Sequence, residues 1–117
     1  MTEKEFYDQI GGDYADAMSR LLDEKRVVKY LNKFLSATDF AEMEKAIDES
    51  RWEDAFRFSH NLKGVALNLS LKVLAASASE LCERFRHGPP EGDFSDLREQ
   101  VRRDYALVTS LVGDVTL

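Results

Sequence analysis

The stretch FSHNLKGVALNLS, residues 58–70, holds the one histidine of this chain that lies inside an apolar-periodic segment. Around His60 stand Lys63 and Gly64, with no carboxylate, thiol or second imidazole in the stretch. Without a neighbouring acid, metal ligand or nucleophile, the chemistry open to this residue is that of its own ring nitrogen. The question is what such a sparse constellation can do.

The answer depends on where the ring points. A helix advances about 100° per residue, so residues 52–69 can be sorted into faces. Ala55, Phe58, Ser59, Leu62, Ala66 and Leu69 fall on one arc, expected to face a core. Glu53, Arg57, His60 and Gly64 fall on another, expected to face water, with Phe56 and Lys63 between the two arcs and within a turn of His60. Glycine inside a helix costs about 1 kcal/mol relative to alanine, so Gly64 needs a reason, and close approach of another molecule is the usual one. An exposed histidine beside an ammonium and a missing side chain suits transfer of an anionic group delivered by a docked protein.

The elements that must position this face read almost entirely as helix. Thr2 with Glu5 forms a capping box opening a short helix that stops at Gly11-Gly12. A second begins near Asp13 and carries Tyr14, Met18, Leu21 and Leu22 on one face; Asp23-Glu24 ends it or starts the next turn. Val27, Val28, Leu31, Phe34 and Leu35 form a helical stripe, and Asp39 with Glu42 is read as a further capping box before Phe40, Met43 and Ile47. After a break at Glu49-Ser50 the histidine helix runs from about Trp52 to Leu67. Ser70 is read as the N-cap of a helix carrying Leu74, Ser77, Ala78, Leu81 and Phe85, which Gly88 and Pro89-Pro90 stop. A last helix from about Phe94 aligns Leu97, Val101, Tyr105, Val108 and Val112. This pattern predicts an all-α fold, an antiparallel four-helix bundle over about residues 25–113, with residues 1–22 as short cap helices over one end.

Composition narrows the function classes. The chain has 117 residues, 44% hydrophobic and 32% charged, which suits one folded domain. A formal charge of −6 argues against a broad nucleic-acid surface. Arg51, Arg57, Lys63 and Lys72 nevertheless gather near the histidine, where a basic patch would attract an acidic partner. The single cysteine, Cys82, forms no internal disulfide and reads as a small core residue. The N-terminus lacks an apolar leader and no run of about 18 apolar residues occurs, so a cytoplasmic, non-membrane, monomeric protein is expected, free-standing from Met1.

HNLKGVALNLS resembles the phosphoacceptor motif of histidine phosphotransfer (HPt) domains, His-x-Leu-Lys-Gly followed by small and apolar residues and a glycine. His60, Leu62, Lys63 and Gly64 match it position for position. LKVLAASASELCERFR is similar to the family's next helix, and the departure is Ser70, where the pattern usually has glycine. The resemblance implies a phosphorelay intermediate: His60 accepts a phosphoryl group from an aspartyl phosphate on a receiver domain and passes it to another receiver. It implies that Lys63 offsets the charge of phosphohistidine, and that Gly64, with Arg57, Asn61 and Leu67, meets the partner. The partners implied are response-regulator receivers or a hybrid histidine kinase. No cofactor belongs to this chain, and Mg²⁺ is expected on the receiver; the protein is expected to use no ATP and to have no independent catalytic activity.

Two other readings compete. A ferritin-like metal bundle needs Glu-x-x-His pairs, but the residue three before His60 is Arg57, and His87 at RFRHGPP reads as a partner for a helix C-terminus. No metal-ligand set is therefore expected, and no zinc spacing or nucleotide loop occurs. A helical docking module whose histidine is never phosphorylated is the non-enzymatic alternative.

Overall fold

The computed structural model describes residues 1–115, and these fold into seven helices. They are α1 (Glu3–Gln9), α2 (Tyr14–Leu21), α3 (Glu24–Ser36), α4 (Asp39–Asp48), α5 (Trp52–Asn68), α6 (Lys72–Arg84) and α7 (Ser95–Val112). The three N-terminal helices begin at side-chain caps, which satisfy amide groups that a helix leaves unpaired. Thr2 Oγ1 accepts from the Glu5 amide at 3.1 Å while Glu5 Oε1 accepts from the Thr2 amide at 3.3 Å, the reciprocal box. Asp13 accepts from the Asp16 amide at 3.0 Å, and Asp23 accepts from the Arg26 amide at 2.8 Å, so Asp23 opens α3.

Two expected caps are not caps. Asp39 is already the first residue of α4; Thr38 holds the cap position without a side-chain hydrogen bond. The carboxylate of Asp39 still lies in the first turn, where the helix dipole favours it. Ser70 does not cap α6 either: Leu71 occupies that position. Ser70 is instead left-handed, with φ 56°, in the turn that ends α5. That conformation favours glycine, which gives the family's usual residue at this position a physical basis.

The bundle proper is α4 to α7. Three-residue links reverse the chain between α4 and α5 and between α5 and α6, so consecutive helices pack side by side and antiparallel. α7 packs on α6 and returns to α4, where Arg98 bonds Glu44 at 3.0 Å and Asp48 at 2.8 Å, and Arg102 reaches Glu44 at 2.6 Å. α3 lies against α7, with Phe34 and Phe40 both on the Tyr105 ring. Val27, Leu31, Phe34, Met43, Leu62, Leu74, Leu81, Val101 and Val108 are buried between these helices, as is Cys82. Leu35, at the end of the α3 stripe, is exposed.

α1 and α2 hold the C-terminal end of α5. The Tyr7 hydroxyl donates to the Leu69 carbonyl at 2.7 Å, Arg20 donates to the Leu67 carbonyl at 3.1 Å, and the Asp13 amide donates to the Ser70 carbonyl at 3.0 Å. These bonds satisfy carbonyls that a helix end cannot pair internally. The Ser70 hydroxyl donates to Asp16 Oδ2 at 2.5 Å; this bond, with Arg20 and Lys72 nearby, holds the Asp16 carboxyl below the usual carboxylate range. Ser70 thus tolerates its strained backbone while tying α2 to the α5–α6 turn. Both Ser70→Ala and Ser70→Gly lose that hydroxyl, but only glycine relieves the left-handed strain. The glycine variant should be the more stable of the two by about 1 kcal/mol, measured by urea denaturation.

Candidate functional site

α5 has 17 residues, and His60 is the ninth of them, in mid-helix where the backbone is fully hydrogen-bonded. Its inward face is made of Ala55, Ser59, Leu62 and Ala66, all buried, and the small Ala55, Ser59 and Ala66 let α4 and α6 pack close on either side. The opposite face is therefore the only one left to solvent. Glu53, Arg57, His60 and Gly64 are exposed, and Phe56 and Lys63 are half-buried at its edges. The arcs expected from 100° spacing are the arcs observed, with Phe58 half-buried at the border.

A Cβ built on Gly64 meets nothing within 4 Å, so the space above it is open. On the α3 side this open ground continues into an apolar groove of about 450 Å³, bounded by Tyr30, Lys33 and Phe34 on α3 and by Gly64, Val65 and Asn68 on α5. On the α6 side, the His60 ring stacks on Phe56 at 5.9 Å between centroids, and the Arg86 guanidinium lies 5.1 Å from the Phe56 centroid. Among the described residues the His60 ring makes no hydrogen bond or ion pair with the protein.

The charge around His60 is less free than the sequence suggested. Arg51 pairs with Asp54 at 2.6 Å and with Glu49 at 3.6 Å, Arg57 pairs with Asp54 at 3.3 Å, and Lys72 reaches Asp16 at 3.8 Å. Of the four cations, Lys63 alone has no carboxylate within 4.0 Å among the described residues. Its charge acts with Arg86 to hold Glu83 below the usual carboxylate range, the Arg86 hydrogen bond being the larger cause. Arg57 also lies over its neighbour Phe58, 4.7 Å from the ring centroid.

The remaining expected contact residues sit on the same side of α5. Asn61 is exposed and donates to Asp39 Oδ1 at 3.4 Å, which links α5 to the first turn of α4. Leu67 is 45% exposed, two turns beyond His60, with its carbonyl held by Arg20. His87 is exposed and lies beyond the C-cap of α6, whose last turn carries Arg84 as its basic residue. Among the described residues no cluster of three or more His, Cys, Asp or Glu is arranged to hold a metal ion. No helix among them is long and apolar enough to cross a membrane. Sequence reasoning missed Arg86 and the α3 groove, because Arg86 reaches Phe56 from the turn after α6 and the groove meets Gly64 from α3. Phe56, at four residues before His60, was within its reach.

The family model for the Hpt domain matches residues 31–111, which covers the four-helix bundle to within one residue of its end and includes the His60 face. The chain belongs to the Hpt domain family. Hpt domains carry out histidine phosphotransfer in phosphorelays, where they meet receiver domains and kinases. No curated protein and no solved structure matches the chain. The N-terminal helices α1 and α2 lie outside the matched region of this Hpt domain, and their hydrogen bonds fall on the last turn and C-cap of the histidine helix.

Proposed function

We propose that His60 is the phosphoacceptor, taking a phosphoryl group from an aspartyl phosphate on one receiver domain and passing it to another. One observation carries this reading: His60 lies at mid-helix on the solvent face, with its ring nitrogens free and open space above Gly64 one turn away. In the transfer, the lone pair of a ring nitrogen of the neutral imidazole forms the P–N bond as the acyl-phosphate P–O bond breaks. The aspartate leaves as a carboxylate, and the other ring nitrogen gives its proton to solvent. The same steps reversed load the second receiver. Phosphoryl transfer is mainly positioning and charge stabilisation, so a partner that brings carboxylates and Mg²⁺ completes the site.

Lys63 offsets the charge of the phosphorylated ring, a modest effect at a half-exposed position. Gly64 admits the loops of the receiver, and the groove between α3 and α5 offers apolar contact beside the reacting centre. Arg57, Asn61 and Leu67 border the same approach. The partners are receiver domains, alone or within a hybrid histidine kinase, met by a monomer in the cytoplasm without nucleic acid or membrane.

The test is incubation with a phosphorylated receiver. Acid-labile, base-stable label should appear on this protein, and none should appear with ATP alone. Robust ATP-dependent autophosphorylation of the purified chain would overturn the relay reading. Absence of label with every receiver tried would favour the docking module instead.

A further inference from the structure

A histidine on a helix surface turns about two torsions, yet transfer needs its nitrogen within roughly 3–3.5 Å of phosphorus and aligned with the leaving oxygen. Imidazoles in catalytic sites are usually oriented by a hydrogen bond to one ring nitrogen. His60 has no such bond to the protein among the described residues. What touches its ring is Phe56, one turn earlier, at 5.9 Å between centroids and 24° between planes.

Phe56 is itself held. Its ring is half-buried, and the Arg86 guanidinium packs 5.1 Å from its centroid. Arg86 is pinned to Glu83 by hydrogen bonds of 2.6, 3.0 and 3.2 Å. The contact therefore runs from the C-terminal end of α6, through the phenyl ring, to the imidazole on α5. A freely turning surface histidine has no need of such a chain of fixed groups behind it.

We propose that Phe56, latched by Arg86, is the positioning residue that sets the ring plane of His60 for in-line attack. The inference rests on His60 being the phosphoacceptor. A stack suits this task better than a hydrogen bond, because it fixes the plane while leaving both ring nitrogens unengaged. One can then form the P–N bond while the other releases its proton. Offset aromatic pairs bias a conformational equilibrium by about three- to tenfold, which is the size of the effect to be sought.

The rival explanation is that Phe56 only fills the edge of the core, and two comparisons separate the roles. Phe56→Leu keeps apolar bulk and loses the plane, whereas Phe56→Tyr keeps both. In single-turnover transfer from a phosphorylated receiver, the leucine variant should be about three- to tenfold slower and the tyrosine variant close to the parent. With phosphoramidate, a small donor able to approach any ring orientation, the leucine variant should lose less than about twofold. In NMR spectra the cross-relaxation between the His60 and Phe56 rings should vanish in the leucine variant and persist in the tyrosine variant. Should Phe56→Leu fail to fold, Arg86→Ala, at an exposed residue, unlatches the ring instead and should slow the receiver reaction with little change toward phosphoramidate. Equal losses with both donors, or parental transfer by the leucine variant, would overturn the inference alone. A parent protein that takes label elsewhere than on residue 60 would overturn the underlying site assignment as well.

Discussion

His60→Gln should abolish phosphate acceptance while leaving the melting temperature within about 3 °C of the parent. The stability half of this expectation follows from the surroundings of the ring. His60 is exposed, makes no hydrogen bond or ion pair with the protein among the described residues, and has Phe56 as its aromatic contact. Exposed substitutions of this kind shift stability by within about 0.5 kcal/mol, and glutamine is a good helix former. The activity half follows from chemistry. A glutamine amide nitrogen has its lone pair delocalised into the carbonyl and cannot form the P–N bond. His87→Gln serves as the control. His87 lies beyond the end of α6, outside the face built around α5, so its variant should accept phosphate like the parent. Loss of acceptance in His87→Gln, with retention in His60→Gln, would place the site at the wrong histidine.

That His60 could be found at all reflects how local its determinants are. The faces of α5 follow from one helical repeat applied to residues 52–69, and burial of Ala55, Ser59, Leu62 and Ala66 on one side leaves His60 on the other. The Thr2–Glu5 box was legible for the same reason, since both partners lie within one turn. Ser70 was misread because serine is a good N-cap and its sequence neighbours fit that role. Its actual partner, Asp16, lies 54 residues away and becomes visible only when α2 is laid across the bundle end. Asp39 missed its cap by one residue, since threonine and aspartate are both capping residue types and either could have opened the helix.

The charges near His60 show both sides of this division. That Asp54 pairs with both Arg51 and Arg57 was within reach of the sequence, because the three residues stand three apart, from the N-cap of α5 into its second turn. The pairing of Lys72 with Asp16 was not, and neither was the approach of Arg86 to Phe56. Of the four cations expected around His60, only Lys63 has no carboxylate partner among the described residues, so the expected basic patch is largely offset. Encounter with an acidic receiver should therefore rely less on long-range attraction, which salt screens, and more on the apolar ground between α3 and α5.

Gly64 is where fold and function make opposite demands, and its substitution gives the second large effect. Two other glycines, Gly11 and Gly12, meet packing needs. A Cβ at Gly12 would come within 2.7 Å of the Tyr7 ring and 3.0 Å of the Ser70 carbonyl, and one at Gly11 within 2.6 Å of Val73 in a left-handed backbone of φ 66°. At Gly64 a Cβ would meet nothing within 4 Å. The fold therefore has no use for this glycine and bears its cost, so Gly64→Ala should stabilise the protein by about 0.5–1 kcal/mol. Gly64→Gln should fold at least as well, with its longer side chain projecting beside His60 into solvent. A docked receiver must close to a distance of roughly 3–3.5 Å between reacting atoms, and a displacement of about 1 Å can cost a hundredfold in rate. Transfer from a phosphorylated receiver to Gly64→Gln should accordingly fall by about two orders of magnitude. Phosphoramidate, which needs no docking surface, should still label His60 at close to the parental rate. Unfolding of Gly64→Gln would mean that this face of α5 is packed against something. An equal loss with both donors would mean that the added side chain disturbs the imidazole itself and not the approach of the partner.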